Sequence, residues 1–465
     1  MQQLFRLFLL FVLAISVVAQ DKSKSYKQGH SLHGEAFDAG PRQKPWPMEG
    51  IGSSHFAITT KNPEVQQWFD QGHTLLHSFW FYEAERAFRW CLKLEPDNAM
   101  AYWGLARAIE DDDRGIPMYR EAAKRKSSVS DRERLYIEAW EPLFSRELKQ
   151  AEKDKEHKKQ LELLCLRYPD DLEAKALFGL ANLGDESHYG NDLVLQQVLA
   201  KSPDHPGAHH YRIHTWNQAR PEYAIDSCVR YASLVPGIGH ALHMPGHIYS
   251  TAGMWHEAAI AMDGAARSEK QYMQRRLTFP FNNWNYAHNL SYLGYIQEQL
   301  GMAAAAIRSA RELMAAPHDP KYNDPDEPTY NAAGYGKLSL VRVLVKYERW
   351  KEILDPNTFA WRETPIDKIY KAYCEGMAHL GLGELEEAAK SYRDHAALKE
   401  EPKKPKLRWL DETYQIQAQE LQALRTLAKG ETLDGLAALS AVAKKQFEHQ
   451  ETRNDPPYYP HMIYT

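Results

Sequence analysis

From about Pro63 onward, apolar and polar residues follow one another with the period of an α-helix. Apolar side chains recur at i, i+3, i+4 and i+7, whereas the every-second-residue alternation typical of a half-buried strand is scarce. Proline or glycine interrupts this pattern at short intervals and divides it into segments of ordinary helix length. The pattern predicts an all-α chain in which residues 63–445 form one long helical array.

The predicted helices share a common pattern. Three segments show it: EAERAFRWCLKLEPDNAMAYWGLA (83–106), YAIDSCVRYASLVPGIGHALHMPGHIY (223–249) and GLGELEEAAKSYRDHAAL (381–398). Each combines a turn, an aromatic residue or leucine, a small alanine, a second aromatic residue and a helix end. The pattern resembles the tetratricopeptide repeat (TPR), a helix–turn–helix unit of about 34 residues. The resemblance covers most of residues 63–445, about eight to ten repeats, and implies an α-solenoid wound as a right-handed superhelix.

Composition and charge narrow the range of functions. Hydrophobic residues make up 43% of the chain and charged residues 26%, as in folded globular proteins. Lys and Arg total 57 against 62 Asp and Glu, which gives a net charge of −5. Without a basic excess to neutralise phosphates, nucleic-acid binding is not expected as the main task. The sequence also lacks a phosphate-binding glycine loop, a G-x-S-x-G elbow and a CxxC pair, so nucleotide chemistry and nucleophilic hydrolysis have no sequence support.

The first 19 residues are typical of a secretory signal peptide. Arg6 is followed by an apolar run from Leu7 to Ala19, which ends in small residues suited to cleavage. An uncleaved membrane anchor is the alternative, but the run is short for a span of about 20 residues. We therefore expect an exported protein, periplasmic or secreted, with no stable membrane insertion after cleavage.

Three further segments and the cysteines complete the predicted organisation. The segments are a linker and lead-in (20–62), a proline-rich insertion (315–334) and an extended tail rich in proline and tyrosine (446–465). Each cysteine falls within an apolar helical pattern: Cys91, Cys165, Cys228 and Cys374. We expect buried free thiols rather than a disulfide framework, since cysteine is among the most buried residue types.

The chain contains 21 histidines, and their positions within the repeats are informative. The resemblance to TPR proteins implies that positions 2, 5, 9, 12 and 13 of each repeat face the concave groove. Seven histidines take such positions: His73, His77, His210, His214, His240, His243 and His247. Three helices thereby carry a histidine pair spaced i,i+4, which lies on one helix face.

A histidine pair with this spacing can present two imidazoles to one metal ion. Because His210 and His214 take positions equivalent to those of His243 and His247 in the adjacent repeat, we expect these four to converge on one ion. His240 is a further candidate ligand, and His73 and His77 would join only if the superhelix curled back. Imidazole suits copper, zinc or iron. Two other interpretations stay open, namely a groove that binds a ligand through hydrogen bonds, and simple packing.

Other side chains near the groove are secondary candidates: His288, Asn289, Trp216, Glu110 and Asp111. His288, beside Asn289 at the start of the next groove helix, could complete a metal site or orient a ligating imidazole. Trp216 is expected mainly to pack under the groove. Glu110 and Asp111 fit a solvated charged loop, with a ligand or general base near His77 as the alternative. His209 is expected to pack between helices.

The sequence leads to three functional hypotheses. The first is an exported TPR protein that binds a peptide, a protein or a small molecule in its concave groove, with a histidine metal site there. The second is a metal-dependent enzyme in which copper, iron or zinc activates water or oxygen. The third is a plain scaffold for protein interaction. The fold by itself does not decide among them.

Overall fold

The computed structural model describes residues 40–41, 43–184, 187–217, 219–317, 332–399 and 408–451. Ten α-helices lie in the described residues up to Leu234: α1 (Pro63–His77), α2 (Phe81–Leu94), α3 (Ala99–Ala108), α4 (Asp112–Arg125), α5 (Asp131–Trp140), α6 (Gln150–Arg167), α7 (Leu172–Ala181), α8 (His188–Lys201), α9 (Pro206–Trp216) and α10 (Ile225–Leu234). Ten more follow in the described residues beyond it: α11 (Gly239–Thr251), α12 (Trp255–Arg276), α13 (Trp284–Gln299), α14 (Ala303–Met314), α15 (Ala332–Lys346), α16 (Trp350–Leu354), α17 (Pro365–Leu382), α18 (Leu385–Ala397), α19 (Arg408–Ala428) and α20 (Thr432–Glu451). These ranges contain no β-strand, so the all-α prediction is confirmed.

The helices are arranged as a stack of helix hairpins. Helices α1 and α2 pack together, as do α3 and α4, α11 and α12, and α13 and α14, and each hairpin also packs against the next. The first helices α7, α9 and α11 begin at residues 172, 206 and 239, which is a spacing of 34 and 33 residues. This is the predicted TPR-type α-solenoid.

The array also contains a long-range contact that brings its first helix to its middle. Helix α1 packs against α9, more than 130 residues later in the chain. The Tyr211 hydroxyl of α9 lies 2.8 Å from Nδ1 of His77. The histidines of α1 therefore lie beside those of the central repeats.

Residues 43–62 form an extended segment that packs onto the first helices. Phe56 is fully buried, with ring contacts to Phe69, His73, Trp103 and Tyr136. Backbone amides of the segment donate to side chains of α1, including Ser54 N to Thr74 Oγ1 at 3.1 Å. The lead-in thus closes one side of the histidine region.

The remaining predicted segments relate to the described residues as follows. Residues 1–19 and the end of the chain from residue 452 lie outside them, as do residues 318–331 of the proline-rich insertion. Helix α20 runs to Glu451 because the first proline of this region is Pro456, so residues 446–451 are helical rather than extended.

The four cysteines are free thiols, and three of them are fully buried. Among the described helices, none has the length and apolarity needed to span a bilayer.

Candidate metal centres

Three of the helices that carry these histidines, α1, α9 and α13, begin at a side-chain cap, whereas α11 does not. Nδ1 of His205 accepts the Ala208 amide at 3.1 Å, and Pro206 occupies the first position of α9. Asn283 caps α13 in the same way through the Tyr286 amide. Helix α11 is continuous through Pro245. These caps fix where α9 and α13 begin.

Three histidines of α9 and α11, called here the first trio, converge through their Nε2 atoms. They are His210 and His214, one turn apart on α9, and His240 at the start of α11. Nε2 of His210 lies 3.0 Å from Nε2 of His214 and 3.1 Å from Nε2 of His240. His210 and His240 are buried, and His214 is half-buried.

The proton position on His210 follows from its other ring nitrogen. Nδ1 of His210 lies 2.6 Å from the backbone carbonyl oxygen of His77. A carbonyl only accepts, so Nδ1 carries the proton and donates. In the neutral ring, Nε2 then presents its lone pair to the other two imidazoles. A backbone carbonyl that fixes the tautomer in this way is typical of metal-binding histidines.

A second trio repeats the arrangement one repeat further along. It consists of His243 and His247, one turn apart on α11, and His288 on α13. Nε2 of His243 lies 3.2 Å from Nε2 of His247, and its Nδ1 lies 2.7 Å from Oδ1 of Asn289. With this amide orientation, Nδ1 of His243 donates and its Nε2 lone pair faces the trio. All three side chains are buried.

The two trios adjoin each other on α11. The rings of His240 and His243, one from each trio, have centroids 5.1 Å apart. The four histidines expected to share one ion are therefore divided: His210 and His214 lie with His240, and His243 and His247 lie with His288.

Burial favours the neutral form of three of these imidazoles. Removal from water lowers the pKa of His214 to about 4 and that of His288 to about 3. Burial, together with repulsion from His243, His288 and His214, lowers the pKa of His247 well below its usual value. Neutral imidazole is the form that binds metal ions.

Aromatic rings surround the trios. Phe79 packs against His210 with a centroid distance of 4.5 Å and against His214 at 5.5 Å. Its backbone has φ +54°, the left-handed conformation of a Schellman helix end, in which Phe79 N donates to Leu76 O at 3.1 Å and Trp80 N donates to Leu75 O at 3.0 Å. On the other side, Trp284 stacks on His288 at 4.5 Å. These rings reduce access of water to the imidazoles.

The remaining histidine pair joins a carboxylate, and together they form the cluster named here the His–Glu cluster. Nε2 of His73 lies 2.8 Å, and Nε2 of His77 2.9 Å, from the same oxygen of Glu173 on α7. Burial lowers the pKa of His77 to about 3 and also lowers that of His73, with Glu173 opposing the shift in part. Burial opposes ionisation of Glu173, but the adjacent imidazoles of His73, His77 and His205 hold its pKa well below the usual value.

The secondary candidates take varied places. Asn289 orients His243, as described, and the buried Trp216 packs against the rings of Tyr189 and Tyr223. Asp111 caps α4 by accepting from the Arg114 amide, and both it and Glu110 are exposed. The carboxylate that contacts His77 is therefore Glu173.

His209 packs between helices, with its ring nitrogens near the Ser227 hydroxyl and the Pro203 carbonyl. Sequence reasoning missed Glu173, His205 and Phe79. Glu173 stands in the first turn of a helix, where an acidic residue is ordinary, so its pattern gives no signal of burial.

Comparisons with known proteins give no family. No family model matches the chain, and no curated protein matches it. Among solved structures, a human IFIT1 dimer with PPP-AAAA aligns at 13% identity and a TM-score of 0.32, covering 82% of this chain and 72% of that one. The P58(IPK) TPR domain aligns at 14% identity and a TM-score of 0.21, covering 77% and 99%. A structure of Naa15/Naa10 bound to HypK-THB aligns at 15% identity and a TM-score of 0.28, and the alignment covers 83% of this chain and 62% of that one.

Proposed function

We propose that the protein is a metal-binding TPR-type protein whose two histidine trios each hold one transition-metal ion. The observation that carries this proposal is the convergence of three imidazoles in each trio. A helical-repeat fold offers a concave surface suited to protein interaction, and the metal pair lies between its central repeats.

The spacing of the nitrogens fits metal ligands. With metal–nitrogen bonds of about 2.0–2.1 Å, two ligands lie about 2.9 Å apart at right angles and about 3.3 Å apart in a tetrahedron. The observed Nε2 separations of 3.0, 3.1 and 3.2 Å fall between these values. These three separations match ligands of one ion, and in both trios every ligand atom lies within 4.8 Å of the other two.

Proton counting separates a metal site from a plain hydrogen-bond network. The single lone pair on Nε2 of His210 faces two Nε2 atoms, from His214 and His240, at hydrogen-bond distance. One in-plane lone pair does not make two well-aligned hydrogen bonds. A cation shared by the three lone pairs resolves this conflict.

The ligand set favours copper. Neither trio includes a carboxylate, so a bound ion has no negative charge from its ligands to offset its own. A buried site without a counter-charge favours a low ionic charge, because burying charge is costly. Cu(I) is monovalent, and copper is among the metals that imidazole ligands suit. Zinc is the main competitor.

Burial argues against a plain ligand-binding groove at these residues. The exposed fraction is 7% for His247 and lower for His210, His240, His243 and His288. A bound peptide could reach only His214, which is half-buried. We therefore place partner binding on the outer concave surface. A metal-dependent reaction would occur at a coordination position left open beside His214.

The test is copper content measured by elemental analysis. Protein loaded with Cu(I) under reducing conditions and then desalted should retain two ions in the trios. His214→Ala should remove the first ion and His247→Ala the second, and the double variant should lose both. His209→Ala is the matched control, because this buried histidine lies next to His210 but outside both trios.

The proposal fails if folded parent protein retains no copper or zinc, or if the double variant retains as much as the parent.

The N-terminal sequence supports a separate proposal, that the protein is exported and acquires metal outside the cytoplasm. Export predicts that mature protein begins near residue 20, which N-terminal sequencing of the protein in its native host would test.

A further inference from the structure

The His–Glu cluster differs from the trios in its ligand chemistry. Its three converging groups are two imidazoles on one face of α1 and a carboxylate from the first turn of α7. Nε2 of His205, the cap of α9, lies 3.3 Å from the other oxygen of Glu173. His73, His77 and one oxygen of Glu173 thus converge at one buried point, and His205 contacts the carboxylate from its other side.

The separations fit adjacent positions around one ion. The distances of 2.8 and 2.9 Å from the Glu173 oxygen to His73 and His77 are close to the value of about 2.9 Å for ligands at right angles. Groups behind the ligands hold them in place. Tyr211 OH contacts Nδ1 of His77 at 2.8 Å, and Ser54 Oγ donates to the second oxygen of Glu173.

An open cavity leads to this cluster. It has a volume of about 460 Å³, and Ser54, Glu173 and His205 form its inner wall. The exposed side chains of His55 and Asp170 lie at its rim, so the cavity opens to solvent. An ion bound by Glu173 would therefore have an accessible side.

We propose that His73, His77 and Glu173 form a third, mononuclear metal site, and that His205 holds Glu173 in place by donating its Nε2–H to the second carboxylate oxygen. The carboxylate supplies the negative charge that both trios lack, so this site suits a divalent ion such as zinc, iron(II) or cobalt(II). Two histidines and one carboxylate that leave open positions are the ligand set of several catalytic metal sites. Water or a small polar molecule would reach the ion from the cavity.

The test uses Co²⁺ as the probe in a protein whose trios are disabled. In the His214→Ala, His247→Ala background, we expect one equivalent of Co²⁺ to bind, with a visible absorption band of nitrogen–oxygen coordination. Adding Glu173→Gln should weaken Co²⁺ binding by about 100-fold or more, because it removes a charged ligand. His55→Ala should leave binding unchanged. His55 is the matched control, because it also contacts a carboxylate, that of Asp70 at 2.7 Å, but is 68% exposed and is not one of the three converging groups.

Two results would overturn the third site. One is a background protein that binds no Co²⁺, and the other is a folded Glu173→Gln variant that binds as the background does. In either case Glu173 is a buried carboxylate satisfied by imidazole N–H groups and the Ser54 hydroxyl without a metal ion. If Glu173→Gln does not fold, parent crystals soaked in Co²⁺ decide, since an anomalous peak is required between His73, His77 and Glu173. The trios play no part in this outcome, so it is independent of the copper proposal.

Discussion

Gly207 provides a test of how tightly the histidine region is packed. A Cβ atom at this position of α9 would collide with the imidazole of His77, at 2.8 Å from both Cγ and Cε1 and closer still to Nδ1. The ring has little freedom to move, because its nitrogens contact Tyr211 and Glu173 at 2.8 and 2.9 Å. We expect Gly207→Ala to push the ring aside and break these contacts.

The cost follows from two contributions. Overpacking a buried site costs about 1–3 kcal/mol, and a buried polar group that loses its partner costs about 1–3 kcal/mol. A net local destabilisation of about 2–4 kcal/mol would speed amide hydrogen exchange in α1 and α9 by about 30- to 1000-fold. Exchange is measured by mass spectrometry in the presence of a chelator, so that bound metal does not contribute.

Gly264→Ala is the matched control for Gly207→Ala. Gly264 lies inside α12, and its nearest neighbour for a new Cβ is Leu242 Cδ1 at 3.9 Å, an ordinary contact. Alanine should therefore stabilise α12 by about 0.5–1 kcal/mol. The steric reasoning is refuted if Gly207→Ala leaves protection of α1 and α9 unchanged, or raises protection as Gly264→Ala does for α12.

Three further predictions concern stability. In chelator, the thermal midpoint should fall as pH is lowered from about 6.5 toward 4. The unfolded chain binds protons that His214 and His288 of the folded protein, with pKa values of about 4 and about 3, do not, and each contributes at most about 1.4 kcal/mol per pH unit. A thermal midpoint that does not change with pH would contradict this prediction. Leu277→Gly should stabilise the protein by about 1 kcal/mol in a thermal melt. Leu277 has φ +54° and is 87% exposed, so glycine relieves backbone strain with little loss of burial. A lower thermal midpoint for the variant would show that this strain is not significant. Arg342→Met should lower the free energy of unfolding in denaturant by about 3–5 kcal/mol, because it leaves the buried carboxylate of Glu298 without its partner at 2.9 Å. If this reason is right, replacing Glu298 by Met as well should recover part of the lost stability.

The sequence predicts more of the fold than of the site. Helical periodicity and the repeat spacing suffice for the α-solenoid, since each depends on local pattern alone. The i,i+4 spacing likewise places His210 beside His214 and His243 beside His247, because both members of a pair lie on one helix. Which helices then contribute the third ligand depends on the offset between neighbouring repeats, and no local pattern encodes that offset.

Glu173 is a residue whose contacts the sequence does not predict at all. Its partners His73 and His77 lie about 100 residues earlier in the chain, and they meet it only because α1 folds back onto the central repeats. In the sequence, Glu173 is one acidic residue in the first turn of a helix capped by Asp171. Its burial among imidazoles is a consequence of tertiary structure, so its chemistry could not be read from the chain.

The two trios and the His–Glu cluster share one construction, and this construction supports the proposal that they bind metal ions. In each, a histidine pair on one helix meets a single ligand near the start of another: His240 for the pair on α9, His288 for the pair on α11, and Glu173 for the pair on α1. Packing alone does not require histidine at the meeting point, since aromatic or aliphatic side chains would fill the same space without costly desolvation. The same three-residue arrangement made three times, with the third residue changed once from histidine to glutamate, supports the proposal that the clusters hold metals of different charge. Exchanging that ligand should therefore change the preference: Glu173→His should favour copper over cobalt at the His–Glu cluster, and a variant that keeps the parent's preference would mean that the third ligand does not set it.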